Sequence, residues 1–294
     1  MFRVWLYLRF KNFLFDFFLR KDLDKKKNFI INTISKQSKK KYSFLFSQCR
    51  IGFLFILKFI KKKNKKKEII FCSYNLPEMV NIANNLNLKV KFCDLEYRTG
   101  SVDLKELKKQ ISKQTLAIVL TNMFNSYKSS IEIKKIAKRS KITLIEDNAI
   151  YFDNFYKKNK KKYFSGELGD FAIYSFNIMK NISSLYGGAV STRNKNFIKY
   201  CSDENNKMEK FYSSILLKQV IIFFILKIMS LKILYKNVFI HIIKFAHKYE
   251  VKSFLKLFYP SLKSVKVNFP KYYYTRISDL SLLLTYSQLK NINR

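Results

Sequence analysis

The sequence predicts an α/β fold with a mostly parallel sheet and helices on both faces, and three observations lead there. Short apolar segments of strand length alternate with segments whose apolar residues recur at helical spacing. That alternation persists from about residue 43 to residue 192 and is the pattern of strand–helix–strand units. Finally, 48% of the 294 residues are apolar, enough to bury a substantial core.

Residues 1–42 read as an amphipathic helix followed by a lysine-rich connector. The large domain is expected over residues 43–203. FSQCRIGFLFILKFI (46–60) enters a helix, and EIIFCS (68–73) is a short apolar strand. LPEMVNIANNLN (76–87) places Met79, Ile82, Ala83 and Leu86 on one helical face. KVKFCDL (89–95) is a strand, and VDLKELKKQI (102–111) a helix with Asp103 as its N-terminal cap. TLAIVLT (115–121) is a strand, IEIKKIAKRS (131–140) a helix, and ITLIED (142–147) a strand ending in two acids. FAIYSF (171–176) and GGAVST (187–192) complete the strands.

Residues 204–263 differ and read as a basic helical insertion. The longest uncharged apolar run there, Val220–Leu226, is far short of the ~20 residues that span a bilayer. Two readings stand side by side: an interfacial or partner-facing amphipathic helix, or an insertion packed on the main domain. Residues 264–294 return to the large domain, with a closing helix at 276–294 capped by Ser278 or Asp279.

A net charge of +38 invites a polyanionic partner, either nucleic acid or an anionic membrane. Against this, richness in Lys, Ile, Asn and Phe is the bias of an AT-rich coding sequence. The lysines of 61–67 and 157–162 read as solvated linkers and loop edges. No zinc-finger, basic-zipper or RNA-binding signature is present, so nucleic acid is not an expected partner. Cys49, Cys72, Cys93 and Cys201 form no CxxC pair, and with only His241 and His247 beside them no metal site is expected. Reduced thiols fit a cytoplasmic protein, with peripheral contact at the inner face of the membrane as an added expectation. MFRVWLYLRFKNFLFDFFLR lacks the continuous apolar run and small-residue cleavage site of a signal peptide.

Three features carry chemistry. Asp147, in IEDNA (145–149), ends a buried strand at the edge where α/β folds place ligands. A carboxylate there can hold a cationic group such as a protonated pyridine nitrogen. In GELGDFAIYSFNIMK (166–180) a strand delivers Ser175, and Lys180 follows on a turn. Lysine can condense with a carbonyl, and desolvation lowers its pKa for that attack. Gly187 and Gly188 follow in a chain with only 6 glycines, which signals close backbone approach or unusual dihedrals. SQCRIG (47–52) is a helix entry, whose free N–H groups suit a phosphate.

Together these residues resemble the DegT/StrS family of sugar aminotransferases, within the fold-type-I class of pyridoxal-phosphate enzymes. The elements are FSQCRIGFLFILK, FCSYNLPEMVNIA and VKFCDLEYRTGSVDL, then Glu146-Asp147-Asn148-Ala149 and Gly166, Gly169, Asp170, Ser175, Phe176 and Lys180. The resemblance runs from about residue 43 to 200 and resumes at 276–294. It implies a fold-type-I large domain. It further implies that Lys180 holds pyridoxal 5'-phosphate and shuttles a proton, while Asp147 pairs with the ring nitrogen. Ser175 and the backbone N–H groups of Arg50 and Ile51 are implied to hold the phosphate. Glutamate and a nucleotide-linked keto-sugar are the implied substrates, in the synthesis of cell-surface polysaccharide or lipopolysaccharide, with a homodimer as the assembly. A related dehydratase chemistry is disfavoured, since those relatives carry histidine in place of the lysine.

Several positions depart from the family pattern. Cys49 stands where glycine is expected, Ile150 where a glutamine commonly touches the cofactor, and Asn122–Asn125 lack the family's histidine and glycine. Leu76 falls where an aromatic residue usually stacks on the ring, a role Tyr74 is placed to take. The resemblance implies a small C-terminal domain after the closing helix, which these 294 residues do not include, so a fragment or a truncated gene product is expected. A non-catalytic remnant acting as a binding or regulatory protein is therefore the alternative function.

Overall fold

A computed structural model describes residues 8, 22–122, 129–153, 155–158, 160–251 and 271–292. Nine strands are described: β1 (Tyr42–Phe46), β2 (Glu68–Cys72), β3 (Lys89–Cys93), β4 (Thr115–Thr121), β5 (Thr143–Asp147), β6 (Phe155–Lys158), β7 (Lys161–Phe164), β8 (Phe171–Ser175) and β9 (Gly188–Thr192). Seven of them form one sheet in the order β1-β9-β8-β5-β4-β2-β3. The run from β3 to β8 is parallel, and only β9 opposes it, pairing antiparallel with both β8 and β1. The mostly parallel sheet expected from the alternation is therefore present.

Strand periodicity sorts the core into two layers. Phe46, Ile69, Phe71, Val119, Ile145, Ile173 and Val190 point to one face. They meet α2 (Cys49–Lys62), α3 (Pro77–Asn85) and α6 (Lys195–Asn206) through residues such as Phe53, Met79 and Phe197. On the other face Ile70, Cys72, Ile118, Leu120 and Leu144 meet α4 (Leu104–Gln110) and α5 (Ser130–Arg139). Leu45, Ala172, Tyr174 and Ala189 on that face meet α1 (Leu23–Gln37) and α9 (Asp279–Leu289). Asp103 caps α4 by accepting from the N–H groups of Lys105 (2.7 Å) and Glu106 (3.1 Å). Ser278, rather than Asp279, caps α9 through the Ser281 N–H at 3.1 Å.

Two expectations need correction. The lysine-rich connector is largely helix α1, because Ile30 and Ile34 recur at i, i+4 and bury completely against α9 and the sheet while Lys25 and Lys36 face solvent. The helix expected before it falls mostly on residues outside the described set. Lys157, Lys158, Lys161 and Lys162 are not loop edges but paired residues of the β6–β7 hairpin, which also pairs Phe155 with Phe164. Lys160, at φ 62°, sits in its turn, and the lysine content hid the cross-strand aromatic pairing that supports it.

The segment after α6 forms α7 (Ser213–Met229), a short turn through Leu234, a π-helical turn (Tyr235–Phe239) and α8 (Ile240–Lys248). One face of α7 packs Phe223 and Leu226 against Ile178, Leu185 and Leu284.

Candidate active site

Strand direction brings the expected chemical residues to one edge. β4, β5 and β8 all end at the carboxyl edge, with Thr121, Asp147 and Ile173 in register. β9 starts there, and Gly188 lies between Ser175 on β8 and Phe46 on β1. The chain leaves β1 at Phe46 and enters α2 at Cys49, so the helix N-terminus arrives beside Gly188. The fit is close: a Cβ on Gly188 would lie 2.3 Å from the Cys49 nitrogen and 2.6 Å from its Cα. Close approach, rather than a left-handed conformation, explains this glycine.

At that N-terminus Gln48 is the cap residue, in extended conformation. The Ile51 N–H, one of the two expected phosphate donors, already donates to the Gln48 carbonyl at 3.2 Å. The N–H groups of Cys49 and Arg50 donate to no described residue. The Arg50 side chain has partners of its own. It donates to Glu78 Oε1 and to the Tyr273 hydroxyl, each at 2.8 Å, and its guanidinium lies 4.9 Å from the Tyr273 ring centre. Ser47 Oγ donates to the Tyr273 carbonyl at 3.0 Å, which ties residues 271–275 to the helix entry. Nothing in the sequence marked Tyr273 or Gln48, whose buried Nε2 has no partner among the described residues.

Asp147 is 6% exposed, and burial pushes its carboxyl above the usual range. The Ala149 N–H, at 3.0 Å from Oδ1, and the charge of Lys180 oppose that push. Lys180 is half-buried, and desolvation lowers its ammonium pKa, with Asp147 and then Cys49 acting the other way. The Cys49 thiol is pushed well up, first by burial and then by the Asp147 charge. These mutual influences place the three groups in one cluster. Ser175 is half-buried at the end of β8, and its hydroxyl bonds no described residue. Tyr74 follows β2 and is 64% exposed, so its ring is not packed into the cluster.

The turn that carries Lys180 is fixed from several sides. Asn181 and Phe152 exchange two hydrogen bonds of 2.8 Å, side-chain amide to main chain. Ser183 Oγ donates to the Ile178 carbonyl at 3.0 Å, and Ser184 Oγ to the Phe176 carbonyl at 3.1 Å. From α9, Gln288 accepts from the Ser183 N–H at 2.9 Å and donates to its carbonyl at 2.5 Å. Glu146, which shares the IEDNA element with Asp147, has a different task. Its buried carboxylate accepts from the N–H groups of Gly166 (3.0 Å) and Gly169, and from Asn122 at 3.1 Å. It thereby anchors the glycine loop that leads into β8.

The cluster thus offers a desolvated amine, a buried carboxylate able to hold a cation, and free N–H donors at a helix N-terminus. Residues 32–213 match the model of the DegT/DnrJ/EryC1/StrS aminotransferase family. The chain belongs to that family. Among similar proteins is the UDP-4-amino-4,6-dideoxy-N-acetyl-beta-L-altrosamine transaminase of Campylobacter jejuni. It is 29% identical over 137 residues, 46% of this chain and 35% of the relative. The Escherichia coli GDP-4-keto-6-deoxy-D-mannose-3-dehydratase, solved with hydrated PLP, superposes with a TM-score of 0.61 at 19% identity, covering 91% of this chain and 60% of that one. The Helicobacter pylori aminotransferase of pseudoaminic acid biosynthesis gives 0.54 at 17% identity, covering 61% and 47%. At such identities the superpositions show the fold, that of fold-type-I enzymes. The curated relatives are matched over well under two thirds of their length. The proteins similar to this DegT/DnrJ/EryC1/StrS member include both aminotransferases and dehydratases.

Proposed function

We propose that this chain binds pyridoxal 5'-phosphate and transfers the amino group of glutamate to a nucleotide-linked keto-sugar, in the synthesis of cell-surface polysaccharide or lipopolysaccharide. The observation that carries this reading is the joint placement of Lys180 and Asp147. Both lie at the carboxyl edge of the sheet, each shifts the titration of the other, and the free N–H groups of α2 adjoin them.

These residues fit the cofactor. Asp147 would hold the protonated ring nitrogen, a cation that relieves the cost of burying the carboxylate. The N–H groups of Cys49 and Arg50, with Ser175 Oγ, would hold the phosphate. Tyr74, standing free beside the edge, would close over the ring. When bound, pyridoxal phosphate supplies an electron sink for charge that develops at the substrate carbon. The chain's own task is then proton movement. Lys180 Nζ, with its pKa lowered by desolvation, is the base that takes and returns the proton at that carbon. Lys180 favours transamination over dehydration, for which the family pattern has histidine. A second subunit belongs to the same reading, because exposed Tyr74 and Leu76 leave the edge open on one side.

Borohydride treatment of the 294-residue chain with pyridoxal phosphate, followed by peptide mapping, should place the label on Lys180. Glutamate should then shift the absorbance of the unreduced complex in a single turnover, and a nucleotide keto-sugar should reverse the shift. A label on another lysine would overturn the site. Correct labelling without any response to glutamate would overturn the transaminase reading and leave a binding domain.

A further inference from the structure

The bent helical pair α7–α8 exposes an apolar stripe that no described element covers. Leu217, Ile221, Ile225 and Ile228 recur every three or four residues along α7, and each is 48% exposed or more. The opposite face of the same helix holds the buried contacts of Phe223 and Leu226. On α8, Ile242 and Phe245 are exposed as well. The stripe is set in unbalanced charge. From Lys210 to Tyr249 there are seven lysines and no aspartate or glutamate. Lys218, Lys232, Lys236, Lys244 and Lys248 are exposed.

From this face we infer that α7–α8 docks on the surface of an anionic lipid bilayer, with its apolar stripe at the headgroup boundary and its lysines on the lipid charge. An apolar strip flanked by lysines, without acids, is the chemistry such a surface recognises. A second copy of the chain is a poor occupant, because like faces would set lysine against lysine with no carboxylate on either side. No single helix among the described residues is long and apolar enough to cross a membrane; Ser213–Met229 and Lys232–Lys248 reach that length and hydropathy only as a pair, which is bent by 71°. At 17 residues α7 reaches about 26 Å, short of the ~30 Å hydrocarbon core. The inner face of α7 rests on Ile178 and Leu185, which bracket Lys180. A bilayer on the outer face would therefore lie one helix layer from the candidate site.

The test is co-sedimentation of the full 294-residue chain with vesicles of phosphatidylcholine alone or mixed with phosphatidylglycerol. Binding should require the anionic lipid, weaken with sodium chloride and be released by alkaline carbonate. Lys232→Gln, Lys236→Gln, Lys244→Gln and Lys248→Gln together should weaken it several-hundredfold, at roughly fivefold per lysine. Four exposed lysines elsewhere provide the control: changing Lys105, Lys108, Lys109 and Lys113 to Gln should leave binding within about twofold if the site is local. Ile221→Glu with Ile225→Glu, both solvent-facing and so tolerable to the fold, should also abolish it. Equal loss from both lysine sets would reduce the effect to overall charge and overturn the site. Retention after carbonate would overturn surface docking in favour of insertion. Lipid-free dimerisation lost in the isoleucine pair, without vesicle binding by the parent chain, would assign the face to a second copy.

Discussion

Neighbouring carboxylates in one tetrad divide the labour at this edge. Glu146 shares strand parity with Leu144 and turns to the glycine loop, whereas Asp147 shares parity with Ile145 and turns toward α2. Asp147 is predicted to govern the chemistry more than the binding of cofactor. Asp147→Asn keeps shape and burial but removes the charge that would hold a proton on the ring nitrogen. The single-turnover rate with glutamate should fall by roughly two to three orders of magnitude, while cofactor affinity changes far less. Stopped-flow absorbance measures the first, and equilibrium titration the second. An unchanged rate would place Asp147 outside the chemistry.

At the level of elements, the meeting of β9 with the start of α2 decides whether the N–H donors are presented. Gly188→Ala would drive a Cβ into the Cys49 backbone, and backbone cannot rotate aside as a side chain can. The variant should lose about 1–3 kcal/mol of stability through overpacking. It should also bind pyridoxal phosphate at least tenfold more weakly, as α2 is pushed from its place. Gly100→Ala is the comparison, since Gly100 has φ +61° but open space around it. That variant should cost about 1 kcal/mol of stability and leave cofactor affinity alone. Chemical denaturation and fluorescence titration separate the outcomes, and intact affinity in Gly188→Ala would refute the role given to this contact.

For the molecule as a whole, Lys40 sets a pH dependence of stability. It is 4% exposed, its Nζ donates to the Gly169 carbonyl at 2.5 Å, and burial lowers its pKa to about 8, with Glu146 opposing and Arg193 reinforcing. The unfolded chain holds that proton up to the ordinary value of 10.5. Between these values the unfolded state binds more protons than the folded state, so stability rises with pH. Below about 8 both states are protonated and the full cost of the buried charge remains. Urea unfolding should therefore show a gain of about 1 kcal/mol from pH 7 to pH 9 that is missing in Lys40→Met. Equal slopes in the two proteins would show that Lys40 is hydrated in solution.

Local pattern alone determined β2, β3, β4, β5, β8 and β9 but not β1, and with them most of the helices and the cap at Asp103, because period and capping are properties of adjacent residues. The order of Asp147, Ser175 and Lys180 along the chain was legible in the same way, since each ends or follows a strand of strong apolar pattern. Other features depended on contacts distant in sequence. Helix α1 needed the sheet face of Leu45, Ala172 and Ala189 together with α9 before Ile30 and Ile34 had anything to bury against. Tyr273 reaches Arg50 across 223 positions, and Gln288 clamps the Lys180 turn across 105, so no local pattern announces either. The N–H groups left free at α2 follow from cap geometry, which directs the Ile51 donor into the helix and leaves Cys49 and Arg50 outward. Sequence fixes what each segment can become on its own; tertiary structure decides which groups meet, because burial and hydrogen bonding act on neighbours in space.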